Sequence, residues 1–210
     1  MAHVPAVDRE KEIVAAAIRV LSRAGVAGAT TRAVAAEAGI PLGTLHYVFP
    51  SKDRMLMAVV DAVADEVLDT VRRGMDPGRG VAHALRHGVS TFWETLVEDR
   101  VGLQIMQYEL AMYSARRTGA GDSGSLGRSQ VRRYTGLVGE LCEQAARAAG
   151  ERCAVDADTL GRLLLAVLDG LVVQYVADPD AGRARRDLDR ATAMLVGYAD
   201  PRPIGAPIPS

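Results

Sequence analysis

Apolar residues return every three to four positions along this chain and nowhere alternate convincingly with period two, the pattern of an all-α protein. A first helix is predicted from about Asp8, a residue suited to an N-cap, with Ile13, Ala17, Val20 and Leu21 on its buried face and Gly25 as its stop. Thr30 is placed to cap a short second helix through Ala38, which Gly39 ends, and a third short helix follows from about Pro41 to Val48. Pro50-Ser51 interrupts the pattern, and Ser51 opens a long fourth helix whose Leu56, Val59, Val60, Val63, Val67, Leu68 and Val71 form one stripe. The segment RRGMDPGRG is the clearest boundary, by its Gly and Pro content. Beyond it, helices are predicted at about 79–98, 100–117, 126–149, 156–177 and 183–199, roughly nine in all. RRTGAGDSGS reads as a flexible loop, AGERCAVDAD and ADPDAGR as shorter breaks, and DPRPIGAPIPS as an irregular tail.

Composition adds little to this picture but narrows it. With 210 residues, 49% hydrophobic and 24% charged, the chain has the balance of a globular protein with a proper core. The net charge of −1 hides a small asymmetry: residues 1–60 carry 7 Lys/Arg against 5 Asp/Glu, and the remainder 18 against 21. Its direction suits a DNA-facing N-terminal domain on a neutral or acidic body. Cys142 and Cys153 make no disulfide framework and are read as structural rather than as a redox pair. The polar start MAHVPAVDREKE predicts no secretion leader. LLLAVLDGLVVQYVA is broken by Asp169 and Gln174 and is too short to span a bilayer. The expectation is a cytoplasmic protein with no membrane partner.

The segment TTRAVAAEAGIPLGTLHYVFPSKDRM carries the chemistry. Two short helices joined by a tight glycine turn are the sequence form of a helix-turn-helix. Gly39 can take the left-handed conformation that reverses the chain, and Pro41 has its φ already set for a helix start. The third helix keeps Leu45, Val48 and Phe49 for packing, with Ala35 and Ala38 as small partners on the second helix. Its other face offers Gly43, Thr44, His46 and Tyr47, which are small or able to hydrogen-bond and so suit a major groove. Lys52 at the start of the fourth helix, and Thr31 and Arg32 at the start of the second, add donors where helix amides already favour a phosphate. The expected DNA contacts are Thr31, Arg32, Pro41, Leu42, Gly43, Thr44, His46, Tyr47 and Lys52.

GVAGATTRAVAAEAGIPLGTLHYVFPSKDRML, with its A-x-x-A-G-I turn, G-T-L before an aromatic pair and F-x-S-K-D opening the fourth helix, resembles the DNA-binding domain of TetR-family transcriptional regulators. The resemblance covers about residues 8–70; beyond it the chain is similar to the family only in length and helix rhythm. Two positions depart from the family's habit: Pro41 stands where Ser or Thr usually caps the third helix, and His46-Tyr47-Val48 replaces the usual aromatic order. The resemblance implies an N-terminal three-helix domain at 8–54 with the helix-turn-helix at about 31–50, a connecting helix at 55–74, an effector-binding and dimerisation domain at 75–200, and an irregular tail at 201–210.

In the C-terminal body, VGLQIMQYELAMYSARR is apolar almost all round. A helical wheel puts Glu109 between Ile105, Met112 and Tyr113, where a buried carboxylate needs a partner: Arg116, an arginine of another helix, or the polar group of a ligand. Trp93, Met106, Tyr108, Glu109, Met112, Tyr113 and Tyr134 are the candidate walls of an effector pocket. DTLGRLLLAVLDGLVVQYV is apolar over most of its circumference, more than one core can use, and Gly161, Ala166 and Gly170 permit close approach. Leu164, Leu168, Leu171, Val172 and Tyr175, with Leu188, Ala191, Leu195 and Val196 of the last helix, form the expected two-fold dimer interface; the alternative is a core internal to one chain.

His83 and His87 stand i, i+4, but Ala84 occupies the position where the metalloprotease signature requires Glu, so a solvated face is expected and no metal. GRARRDLDR reads as a solvated helix start. No nucleophile–base pair or phosphate loop survives inspection, so an enzyme is the least supported class, and no cofactor is implied. The expected function is a homodimeric repressor on a palindromic double-stranded operator, released by an unidentified small-molecule effector; the alternative is a constitutive DNA-binding dimer.

Overall fold

The computed structural model describes residues 6–73, 75–116 and 124–205. Its helices are α1 (Ala6–Gly28), α2 (Thr31–Glu37), α3 (Leu42–Val48), α4 (Lys52–Arg72), α5 (Val81–Phe92), α6 (Val101–Arg116), α7 (Gly124–Ala149), α8 (Ala157–Ala177) and α9 (Ala181–Ala199). A short 3-10 turn at Pro77–Arg79 precedes α5, which runs on into a π-helical segment, Trp93–Glu98. The all-α reading holds, with one addition. Two short strands, β1 (Glu151–Arg152) and β2 (Arg202–Pro203), pair antiparallel, so the start of the expected irregular tail is fastened. Ile204 N–H also donates to Gly150 O at 2.8 Å. Within the expected loop RRTGAGDSGS, residues 117–123 lie outside the described residues, as do tail residues 206–210.

The chain forms two compact units, residues 1–65 with 102–131, and residues 66–101 with 132–210. This grouping crosses the domain boundaries expected from the resemblance: α6 and the start of α7 group with the helix-turn-helix rather than with the remaining C-terminal helices.

In the first unit, α1 buries Ile13, Ala17, Val20 and Leu21, α2 buries Val34 and Ala35, and α3 buries Leu45. Local signals set each end. Thr30 Oγ1 accepts Ala33 N–H at 3.1 Å to cap α2, and Ser51 Oγ accepts Arg54 N–H at 3.2 Å to cap α4. Gly39 takes φ +65, while Ile40 N–H reaches back to Ala35 O at 3.0 Å and Gly39 N–H to Ala36 O at 3.1 Å, the paired bonds of a Schellman ending. Glu37 ties α2 to α1 by accepting from Arg19 Nε at 2.8 Å and from an Arg23 terminal nitrogen at 3.0 Å; both guanidiniums hold its carboxyl below the ordinary range.

In the second unit Trp93 is fully buried, its ring edge-on to Tyr175 at 5.5 Å and its Nε1–H donating to Glu98 at 3.2 Å. Arg185 brackets the same carboxylate at 2.7 and 3.2 Å. Asp156 caps α8 through Thr159 N–H and Asp180 caps α9 through Arg183 N–H, each at 2.8 Å; these backbone bonds hold both carboxyls low. A methyl at Gly161 would sit 2.6 Å from Thr135 O, so this glycine serves the close approach of α8 to α7 rather than a partner subunit. Cys142 is buried and its thiol is pushed up to about 12 by that burial, as a core cysteine should be. The solvated face expected for His83 and His87 is corrected. Both are half-buried, stacked at 5.8 Å, and His87 Nε2 lies 3.1 Å from Arg73 O.

Candidate nucleic-acid interface

The break before α3 aims that helix. Pro41, at φ −60 and ψ 142, stands as N-cap with no side-chain bond, and its carbonyl accepts Thr44 N–H at 2.9 Å. Leu45 is 0% exposed and Phe49 is buried, which pins one side of α3 inward. Burial of one such side chain contributes about 1.5–3 kcal/mol. The opposite side faces out: Gly43, His46 and Tyr47 are exposed, and Thr44 and Leu42 half-buried. Tyr47 is 87% exposed, an unusual position for an aromatic ring that serves only its own fold. None of the described residues lies within 4 Å of a methyl built at Gly43, so the backbone there is open to close approach. On α2, Arg32 is exposed and Thr31 half-buried.

Lys52 makes a contact the sequence did not announce: its ammonium donates to Val26 O at 2.6 Å and lies 5.6 Å from the centroid of the Tyr113 ring. The reason lies at Gly25. There α1 breaks at φ +64 and ψ 179, a region that is almost purely glycine's, and the chain turns so that both backbone groups of Val26 are met by side chains. Val26 N–H donates to Glu109 Oε2 at 3.1 Å. The backbone conformation requires glycine here, and a methyl at Gly25 would sit 2.7 Å from that same oxygen and push the Glu109 carboxylate off its bond.

This also corrects Glu109. It is exposed, not buried, and among the described residues it accepts from the amide at the end of α1 rather than from an arginine. Ile105 and Met112 are exposed as well, so this side of α6 is open despite its apolar composition. The seven candidate pocket residues do not share one surrounding. Met106 is fully buried and Met112 is 55% exposed, while Tyr108, Tyr113 and Tyr134 are half-buried. Trp93 is taken up by Tyr175 and Glu98 in the second unit. The buried polar side chains on α6 are ones composition did not single out, Gln104, Gln107 and Ser114. Gln130 of α7 donates to Gln107 Oε1 at 3.2 Å, and its own Oε1 is buried with no hydrogen-bond partner among the described residues.

Four of the nine residues expected at the dimer interface are corrected. Leu164, Val172, Leu188 and Leu195 are buried within the single chain and belong to its core. Leu168, Leu171, Tyr175, Ala191 and Val196 are half-buried. The open side of α8 carries Leu163, Ala166, Gly170 and Val173, spaced as one helical face, and that of α9 carries Met194 and Tyr198. Met194 is 74% exposed and Val173 52%.

A glycine-turned helix pair that holds a polar and aromatic face outward is the working part of a helix-turn-helix regulator. Residues 13–59 match the model of the bacterial regulatory proteins of the tetR family. Over most of its length the chain is 28% identical to the HTH-type nicotine-responsive transcriptional repressor HdnoR of Paenarthrobacter nicotinovorans, covering 92% of this chain and 95% of that protein. It is 29% identical to the HTH-type transcriptional regulator PksA of Bacillus subtilis, covering 91% and 88%. Among solved structures, the multidrug binding protein EbrR, seen with imidazole, is 28% identical with a TM-score of 0.66, covering 97% of this chain and 92% of that one. Residues 13–59 are thus similar to a tetR-family DNA-binding domain, and the two relatives matched over most of this chain are transcriptional regulators.

Proposed function

We propose that this chain is a homodimeric repressor that binds a palindromic operator through α3 and leaves it when a small molecule binds. The observation that carries the DNA-binding half is the split of α3, with Leu45 fully buried and Tyr47 87% exposed beside Gly43 and His46. Arg32 and Thr31 at the start of α2 supply phosphate contacts on the same head. Tyr47 and His46 are placed to reach base edges or phosphates, with Gly43 and Pro41 giving close approach.

The second copy covers the open faces of α8 and α9. The apolar segment read as too short to span a bilayer is part of a 21-residue helix. By length and composition α8 would thus serve to cross a membrane, yet its Arg162 and Asp158 form an ion pair within the helix. A two-fold helical interface accounts for the same apolar exposure, and Gly170, with none of the described residues within 4 Å of a built methyl, allows two α8 helices to approach closely. The dimer then places one α3 in each half-site.

Ligand response is supported by the relatives: one is a nicotine-responsive repressor, and the multidrug binding protein was seen with imidazole and with ethidium. All three compounds are nitrogen-containing aromatics, and we take that as the effector class. The unpartnered Gln130 Oε1 would accept an N–H from such a ligand. A ligand that prefers the non-binding state by about 1–3 kcal/mol weakens operator binding roughly 5–150-fold. The test uses a labelled duplex selected by the protein from a random pool, titrated with nicotine, imidazole and related heterocycles. A compound that raises Tm of the free protein should also release the duplex within that range. Compounds that raise Tm but leave the complex intact would favour the constitutive reading.

A further inference from the structure

Val26 is held from two directions. Glu109 of α6 takes its N–H, and Lys52, the first residue of α4, donates to its C=O. Tyr113, one turn beyond Glu109 on α6, sets its ring against the same ammonium. Three helices that are distant in sequence thus meet at a single residue of the α1 break, all within the first unit. The two side chains carry opposite charges and each makes a charge-assisted bond to the backbone, the stronger kind of hydrogen bond.

We propose that this clasp sets the orientation of the DNA-binding head, and that Lys52 and Glu109 are positioning residues rather than ligands for phosphate or effector. The proposal rests on the repressor reading in one respect: the ligand-free chain is then the DNA-binding form, so its contacts favour operator binding. Because Glu109 stands on α6, any displacement of that helix pulls on the end of α1, and through Lys52 on the start of α4. The second unit contains a useful control of the same construction. Gly80 takes φ +82, and Val81 N–H donates to Glu151 Oε2 at 2.9 Å. That contact lies outside the DNA-binding head and serves the start of α5.

The clasp makes a prediction opposite in sign to simple charge. Deleting a carboxylate from a DNA-binding protein should strengthen binding to a polyanion. Glu109→Ala should instead weaken operator binding about tenfold, the size of one charge-assisted bond. Glu109→Gln, which keeps an acceptor oxygen, should recover most of the loss. Lys52→Ala should weaken binding similarly with the salt dependence unchanged, whereas loss of a phosphate contact in each copy would shrink the slope by about 1.8 for the dimer. The double variant should bind about as well as either single one, since both break the same device. Glu151→Ala should lower Tm and leave operator affinity alone. Tighter or unaltered binding by Glu109→Ala, or a flattened slope in Lys52→Ala, would overturn the proposal. One arm needs no DNA: amide exchange at Val26, followed by NMR, should rise at least tenfold in Glu109→Ala, and unchanged exchange also overturns the clasp. Failure of the wild type to select any duplex would instead strike the repressor reading, leaving Val26 exchange to decide the clasp.

Discussion

Tyr47→Ala weakens operator binding by about a hundredfold or more while leaving Tm and the dimer unchanged. An aromatic side chain central to an interface is worth about 2 kcal/mol or more, and a symmetric dimer presents it twice. Folding has little stake in this ring, because it is 87% exposed and its neighbours Gly43 and His46 are exposed with it. Substitutions at such surface positions stay within about 0.5 kcal/mol of neutral. Fluorescence anisotropy with the selected duplex gives the affinity, thermal denaturation the stability, and light scattering the mass. Unfolding of the variant would mean that Tyr47 supports the core, and wild-type affinity would remove α3 from the interface.

The second large effect comes from charging the open faces of α8 and α9. Val173→Arg combined with Met194→Arg should give a folded monomer at micromolar concentration. Both side chains are exposed in the single chain, so arginine there disturbs no internal packing. At a two-fold interface the same substitutions bury like charges from both copies, and unpaired buried charge is strongly destabilising. The operator then sees one half-site contact in place of two, and the lost effective concentration weakens binding by about a hundredfold or more. Leu164→Arg or Leu195→Arg is the contrasting pair: these residues are buried within the chain, and the substitutions should unfold it. A double variant that remains dimeric by light scattering would place the interface elsewhere.

That contrast shows where sequence reasoning reached and where it stopped. The helix-turn-helix was legible because its signals are local: Gly39 for the left-handed turn, Pro41 for the helix start, Thr30 and Ser51 as caps. Each acts within a few residues of where it stands. A helix apolar on every side carries no such label, so the pattern on α8 announced two buried faces without saying which one the chain keeps for itself. The same weakness misplaced Glu109. Apolar neighbours on the wheel suggested burial, yet Ile105 and Met112 beside it are open to solvent. The bond that Lys52 makes escapes sequence reading for a different reason. Its partner Val26 stands 26 residues away, presented by a break whose only trace in sequence is Gly25. The strand pair at Glu151–Arg152 and Arg202–Pro203 is two residues long on each side, too short for any periodicity to reveal.

If two copies of α3 read one stretch of duplex from its major grooves, methylation interference on the selected operator will report it, because guanine N7 lies in the major groove. Two symmetry-related tracts of interference should appear, centred about 10–10.5 base pairs apart or a multiple of that spacing, both lost in Tyr47→Ala. A single tract, interference confined to minor-groove positions of adenine, or a pattern that persists without Tyr47 would contradict it.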